Sequence, residues 1–424
     1  MGTISRRVVT TLIGNALGPL ASLLTAPMLA RGLGVDGRGE VAAAVAPLVL
    51  GATIATVGLP NAATYFVARA PSVSRYVSRF AALMLVISGV IATTTIFSLR
   101  GWLSDGDVEL ARMIAVAALL VVPTMQVVLL QAVAAGLNQW KRVLAERAIS
   151  SFLRVLTISL LLLNDRLTPL SAIAVLATAP LIGGLAYIHP RRRTDPVNTP
   201  ANGDLLKYGM RIWVGAISGI LLSRIDQTMI VPLSDTEQLG YYAVAVSISE
   251  LALVANTSIR EVMFTNLSTQ FDRHRLTVAS RVSTWAALGV GMCTAAACIG
   301  LLPLVFGSDF APAIPVSLIL IIAVVVGNPG SMAGVGLTAL GYPGRRSVSL
   351  IIACVANVAC LLVLVPSLGA NGAAIATLVG NLVSSNINIG FMWRLTAVRP
   401  LAFYELRLRD LALVKTQLFE RRGG

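Results

Sequence analysis

Charge is what this chain has least of. Only 12% of its 424 residues are Asp, Glu, Lys or Arg, against about 25% in an ordinary soluble domain. Hydrophobic residues make up 56%, and mean hydropathy is +0.81. A water-soluble protein of this length has nowhere to hide so much apolar surface, so lipid must be its solvent. That excludes a cytosolic enzyme, a secreted disulfide scaffold and a disordered chain. Histidine and cysteine are scarce too. His189 and His274 fall in basic loops, neither in a ligand spacing. Cys293, Cys298, Cys354 and Cys360 lie in apolar runs with no CxxC pair, which fits buried free thiols better than a disulfide or a metal site. There is no GxxxxGK[ST] phosphate loop, no HExxH and no nucleophile elbow. The glycines of "GVGLTALG" (334–341) end an apolar run without the Lys-Ser or Lys-Thr that would bind phosphate, so helix packing accounts for them. No cofactor and no metal are expected.

What is present is apolar sequence in blocks. Twelve segments stand out, at roughly 8–33, 40–68, 79–99, 112–136, 146–164, 170–189, 206–233, 239–268, 280–303, 312–340, 347–366 and 371–393. Each is long enough to cross about 30 Å of hydrocarbon as a helix. Pro60 and Pro329 mark expected kinks, because proline removes a backbone donor. Arg6-Arg7 followed by an apolar run looks like a secretory signal. The run is too long for one, and further spans follow, so an uncleaved first helix is expected.

Net charge is +14, with 33 basic residues against 19 acids. In a soluble protein that balance would suggest nucleic acid; in a membrane protein the placement of the charges decides. With the N-terminus inside, 25 of the 33 fall on the cytoplasmic face, and five fall outside: Arg31, Arg38, Arg100, Arg112 and Arg166. Three lie well within spans: Arg154, Arg224 and Arg260. Both termini are therefore expected to be cytoplasmic.

The chain also repeats. "LGVDGRGEVAAAVA" (33–46) has an echo about 201 residues later in "LSDTEQLGYYAVAVS" (233–247), matching Gly39 with Gly240. Later spans follow at a similar shift. Six spans per half is an even number, so both halves enter the membrane from the same side, a known transporter plan. The expected fold is an all-α polytopic membrane protein of twelve helices, in two parallel six-helix lobes around a central cavity. The expected division is 1–189, a cytoplasmic linker at 190–205, 206–393, and a cytoplasmic tail at 394–424. That tail reads equally as an interfacial helix or as a basic extension.

Ionisable residues within lipid are costly and normally face a cavity or a partner. Arg154 is in the fifth segment; Arg211, Arg224 and Asp226 are in the seventh; Glu250, Arg260 and Glu261 are in the eighth. Glu250 and Glu261 share a helix face with Thr257, giving a polar stripe that lines either a cavity or a helix contact. Counted from the turn near residue 236, Arg224 matches Glu250 in depth and Arg211 matches Glu261. Two opposite-charge rungs follow, as static pairs or as pairs that exchange. At the 201 shift, Arg224, Asp226 and Glu250 meet Leu23, Thr25 and Val49, so the charge is lopsided.

Three stretches carry a family resemblance: "ARGLGVDGRGEVAAAVAPLV" (30–49), "GLPNAATYFVAR" (58–69) and "LSRIDQTMIVPLSDTEQLGYYAVAVSI" (222–248). With the twelve-segment pattern they resemble the polysaccharide flippases of the multidrug/oligosaccharidyl-lipid/polysaccharide (MOP) exporter superfamily. The resemblance implies alternating access between two lobes in the bacterial cytoplasmic membrane. It implies a cargo of undecaprenyl-pyrophosphate-linked oligosaccharide, moved from the inner to the outer leaflet. Arg224, Arg154, Arg211 and Arg260 are then the candidates to meet pyrophosphate, which suits the planar guanidinium fork. Asp226, Glu250 and Glu261 are candidates for ion coupling or charge pairing. Implied partners are the lipid-linked substrate, the bilayer, and a polysaccharide polymerase with other assembly proteins; nucleic acid is not among them. A cation-coupled multidrug exporter of the same fold is the alternative. Its usual acid in the first span is missing from 8–33. An assembly enzyme or a scaffold is a further reading; the short external loops argue against an enzyme.

Overall fold

The computed structural model describes residues 2–187, 201–250 and 272–405, with side chains from 17 onward except those of 214–216. Among these the secondary structure is entirely helical: α1 (Gly2–Ala55), α2 (Leu59–Arg69), α3 (Ser74–Leu103), α4 (Val108–Ala118), α5 (Val121–Gly136), α6 (Trp140–Leu163), α7 (Pro169–Gly183), α8 (Asn202–Leu233), α9 (236–250), α10 (Arg273–Phe306), α11 (Ala313–Ala339), α12 (Pro343–Thr396) and the single turn α13 (Leu401–Tyr404). The chain packs as two compact units, Met1–Ala243 and Val244–Gly424. The helix α8 thus packs with the first unit. Most of the expected linker, 190–200, lies outside the described residues.

Two helices of 54 residues cannot be single spans. Each would be about 80 Å long, against about 30 Å of hydrocarbon. Both are broken at a glycine with non-helical backbone, Gly34 in α1 and Gly369 in α12. In α12 the chain turns back on itself. The Cα of Gly372 packs against the Leu364 carbonyl with no room for a Cβ, and Ser349 Oγ donates to the Ser384 carbonyl at 3.2 Å. The segments expected at 347–366 and 371–393 are therefore the two arms of one hairpin. Gly34 separates the first two expected segments in the same way.

The second expected segment breaks again. Val57 and Gly58 are both left-handed (φ 48° and 69°), and Pro60 opens α2, where its missing N–H costs nothing. So the expected bend near Pro60 falls just before it. By contrast, α11 carries Pro329 in its interior without a break in its helical backbone. The fourth segment is two helices, α4 and α5, with a break at Leu119–Leu120.

Seven described helices are long and apolar enough to cross a membrane, or eight if the two parts of α8, Asn202–Trp213 and Ile217–Leu233, bent by 57°, form one span. Their outer faces show why lipid is needed. Leu83, Val86, Ile87, Val90 and Ile91 form an exposed stripe on α3, and Met292, Ile299, Leu301 and Leu304 are exposed on α10. Water would not tolerate such continuous apolar faces. The interiors are built from small residues, Ala62 and Ala63 in the first unit and Ala373, Ala374 and Ala376 in the second, which let backbones approach closely. All four cysteines are free. Cys298 is buried as expected, while Cys293 is exposed, on the outward side of α10. After α12 the chain folds back and buries Phe403 among Leu276, Leu337 and Met392. The rest of the tail, 406–424, lies outside the described residues.

Candidate functional site

Inside the first unit, α6 runs alongside the first arm of α1. Ser159 Oγ approaches Met28 Sδ at 3.5 Å, and Arg154 Nη1 donates to Ser22 Oγ at 3.0 Å. Arg154 is half-buried, as its place in the fifth segment predicts. Arg38, just past the Gly34 break on the second arm of α1, is half-buried in the same unit. Its Nε is shut off from solvent and has no hydrogen-bond partner. Guanidiniums inside a lipid-embedded bundle are costly, and an anion reaching them offsets that cost. Sequence reading placed Arg38 in an external loop. The helix resumes earlier than the apolar run suggests, so no periodicity signal marks the residue.

Asp226 lies on α8 and is 3% exposed. Its Oδ1 accepts from the backbone N–H of Gln227 at 2.7 Å. Its Oδ2 accepts a short hydrogen bond from the Tyr242 hydroxyl of α9, itself fully buried. The matching position in the first repeat, Thr25, is also fully buried, but its hydroxyl only bonds back to Ala21 O at 2.8 Å. The acid is therefore particular to the second repeat, as the sequence comparison indicates.

The other candidates divide three ways. Arg224 and Glu250 are half-buried, while Arg211 is exposed near the start of α8. Arg260 and Glu261 lie outside the described residues, as does the lower part of the polar stripe with Thr257. A further buried acid escaped sequence reading. Glu146, at the start of α6, is 7% exposed; Ser150 Oγ and Tyr187 Oη donate to its two oxygens, each at 3.3 Å. Its position at the edge of a segment made it look like a rim charge.

A cavity of about 370 Å³ opens in the first unit between the second arm of α1, α2, α5 and α8. Val49, Val128, Ile217 and Ile220 make its apolar wall, with Thr53, Thr56 and Asn61 on the polar side. The hydroxyls of Thr53 and Thr56 are spent on Val49 O and Thr53 O, so the threonines turn methyls and lone pairs to the space. Trp213 closes one end, held by Nε1 donating to Ile54 O at 2.8 Å. Beside it Gly58 and Gly209 pack backbone to backbone, and Tyr208 stacks on Tyr65 at 4.2 Å, with Arg69 over the far ring at 4.3 Å. The first half of α8 is thereby fastened to α2.

A model of the polysaccharide biosynthesis protein family matches residues 4–268. This is more than half of the chain, which belongs to that family, within the MOP superfamily. Solved structures match along nearly the whole length. The lipid II flippase MurJ in an inward closed conformation is 12% identical with a TM-score of 0.71, covering 97% of this chain and 91% of its own. An inward-facing MATE family multidrug resistance transporter of the MOP superfamily is 17% identical with a TM-score of 0.66, covering 93% and 96%. A MOP superfamily transporter from Pyrococcus furiosus, described by the reversed polarity of its binding pocket, is 16% identical with a TM-score of 0.56, covering 95% and 96%. At these identities the likeness shows the fold: a polytopic, all-helical membrane transporter fold. No curated protein matches the sequence.

Proposed function

We propose that this member of the polysaccharide biosynthesis family is a flippase for an undecaprenyl-pyrophosphate-linked oligosaccharide. It carries that cargo from the inner to the outer leaflet of the bacterial cytoplasmic membrane by alternating access, with both termini cytoplasmic. The observation that carries the reading is the Arg38–Arg154 pair. Arg38 carries a buried Nε without a hydrogen-bond partner, and Arg154 of α6 lies in the same unit, so two guanidiniums are available to one anion. Pyrophosphate answers both forks bidentately, and its prenyl tail remains in the bilayer.

Arg224, Arg211 and Arg260 belong to the same reading, as further cations on the path of the headgroup. Asp226, Glu250 and Glu261 are assigned to ion coupling or charge pairing. The chain acts as a transporter and not as an enzyme, with polymerase and assembly proteins as partners. The lobes of the reading are 1–189 and 206–393, joined by the linker at 190–205. A multidrug exporter would want an acid facing its cationic cargo. The Arg38–Arg154 pair favours an anion instead.

The test is flipping in reconstituted vesicles loaded with a prenyl-pyrophosphate-linked oligosaccharide, read by lectin capture at the opposite face. Protein-dependent capture is expected, falling at least tenfold in Arg154→Gln and Arg38→Gln at equal incorporation. Undiminished flipping in both variants would remove the cation pair from the mechanism. Efflux of cationic dyes without oligosaccharide transfer would favour the drug exporter.

A further inference from the structure

The first unit buries an acid to which the proposed transport gives no task. Glu146 lies in the second turn of α6 and is 7% exposed. Its two oxygens accept from hydroxyls alone, Ser150 Oγ and Tyr187 Oη, each at 3.3 Å. A charged carboxylate draws hydroxyl donors in to about 2.5–2.7 Å, so both bonds are long for an anion. On α6 itself the cations are Lys141, Arg142 and Arg147. Among the described residues no salt bridge reaches Glu146. Arg147 is turned to α5, where its Nη2 and Nε donate to the Gln131 carboxamide oxygen at 3.0 and 3.2 Å. The other elements packed on α6 bring no counter-charge. No residue of α5 is ionisable, and none is in 169–186, ahead of Tyr187. The first arm of α1 carries no charge between Arg7 and Arg31. Gly183 of α7 presses on the site with no room for a Cβ against Ser150 Oγ, and Ala134 and Val143 pack about Tyr187.

A carboxylate in such surroundings is costly, and one proton removes its charge. The neutral acid still matches its partners. One oxygen donates to the Tyr187 phenol oxygen, and the other accepts from Ser150. The same side chains therefore hold the group in both states, as an exchanging proton requires. On the topology expected from the basic residues, the start of α6 is a cytoplasmic end. Asp226, far along α8, lies toward the outer one. We propose that Glu146 is a proton-binding site of the first unit that exchanges with the cytoplasm. On release, the O–H bond breaks, water takes the proton as hydronium, and the carboxylate remains; uptake is the reverse. The site itself stands apart from the flippase reading, but its role rests on it: the proton leaving Glu146 is the coupling ion that moves inward as cargo moves outward.

The experiment uses the full chain in phosphatidylcholine vesicles and needs no cargo. Infrared spectra of wild type and Glu146→Gln are subtracted at about pH 6, where an exposed glutamate of pKa about 4.3 is ionised, and again in alkali. A protonated carboxyl has a carbonyl stretch apart from the carboxylate bands. The difference at the lower pH should contain one such band, and alkali should convert it to carboxylate. Tyr187→Phe keeps the acid and should shift the band, because the carboxyl loses that partner. Carboxylate bands alone at the lower pH overturn the proposal. A protonated band that alkali leaves unchanged overturns it too, since such a proton does not exchange. Transport then reads the role. Under an imposed proton gradient, acid outside, Glu146→Gln should lose most of the stimulation that wild-type flipping shows. Full stimulation in Glu146→Gln overturns the coupling role. A wild type that flips no oligosaccharide defeats the flippase reading alone, and the infrared bands still decide the proton site.

Discussion

At the scale of single residues, the Asp226–Tyr242 bond separates structure from function. A carboxylate at 3% exposure accepts from the Gln227 backbone amide and from the Tyr242 phenol. Tyr242→Phe removes that donor while keeping the ring. Losing a hydrogen bond to a buried charged group costs about 1–3 kcal/mol, so a lower denaturation midpoint at unchanged helix content is expected. Asp226→Asn can keep its Oδ1 on the Gln227 N–H and donate Nδ2–H to the phenol oxygen, but it cannot carry a proton or hold a cation. It should therefore fold at wild-type levels, and transport should lose its dependence on an imposed proton or sodium gradient. Gradient-dependent transport as strong as wild type in Asp226→Asn would reduce the residue to a helix pin. Sequence reading found Asp226 because an acid in an apolar run stands out. It did not find Tyr242, since a tyrosine near a span end is unremarkable without its partner. Arg38 was hidden for a different reason: hydropathy places helix ends only to within a few residues, and here that error decides whether a side chain points into the bundle.

Elements show the same division. The twelve apolar segments were legible because each must be about 20 residues of nonpolar sequence to satisfy the bilayer. Where the described residues cover them, they are helical apart from short breaks such as those at Val57–Gly58 and Leu119–Leu120. What hydropathy could not show is how the chain passes from one to the next. Gly369, at φ 53° and ψ −130°, makes the α12 reversal in a conformation that side chains resist, and Gly372 leaves no space for a Cβ against Leu364. Gly369→Ala should destabilise by about 1 kcal/mol or more, read as a lower melting temperature in detergent. Gly101→Ala is the control. It lies in α3, where a Cβ would meet nothing within 4 Å, and should leave stability unchanged or slightly raised. A Gly369→Ala protein as stable as the Gly101→Ala control would mean that the hairpin does not depend on this backbone.

For the whole molecule, the repeat read from sequence acquires a physical meeting point. The 201-residue shift carries Val35 onto Thr236 and Gly39 onto Gly240. Within the first unit these four residues touch reciprocally. Gly39 packs on the Thr236 carbonyl, and Gly240 packs on the Val35 carbonyl. A contact in which each copy offers the other the same residues is the mark of a local two-fold axis. Neither glycine has room for a Cβ, so any side chain would drive the two turns apart. On the topology expected from the basic residues these turns are external, and under the proposed alternating access their contact would be the outer seal. Gly39→Leu and Gly240→Leu should have matching effects, since the axis makes them equivalent. Each is expected to slow flipping severalfold and to raise labelling of a Thr53→Cys reporter by an impermeant maleimide added outside. Thr53 lines the cavity of the first unit, so its labelling reports whether that space opens outward. An effect confined to one glycine would break the symmetry argument. Unchanged labelling in both variants would mean that the contact holds the turns without sealing anything.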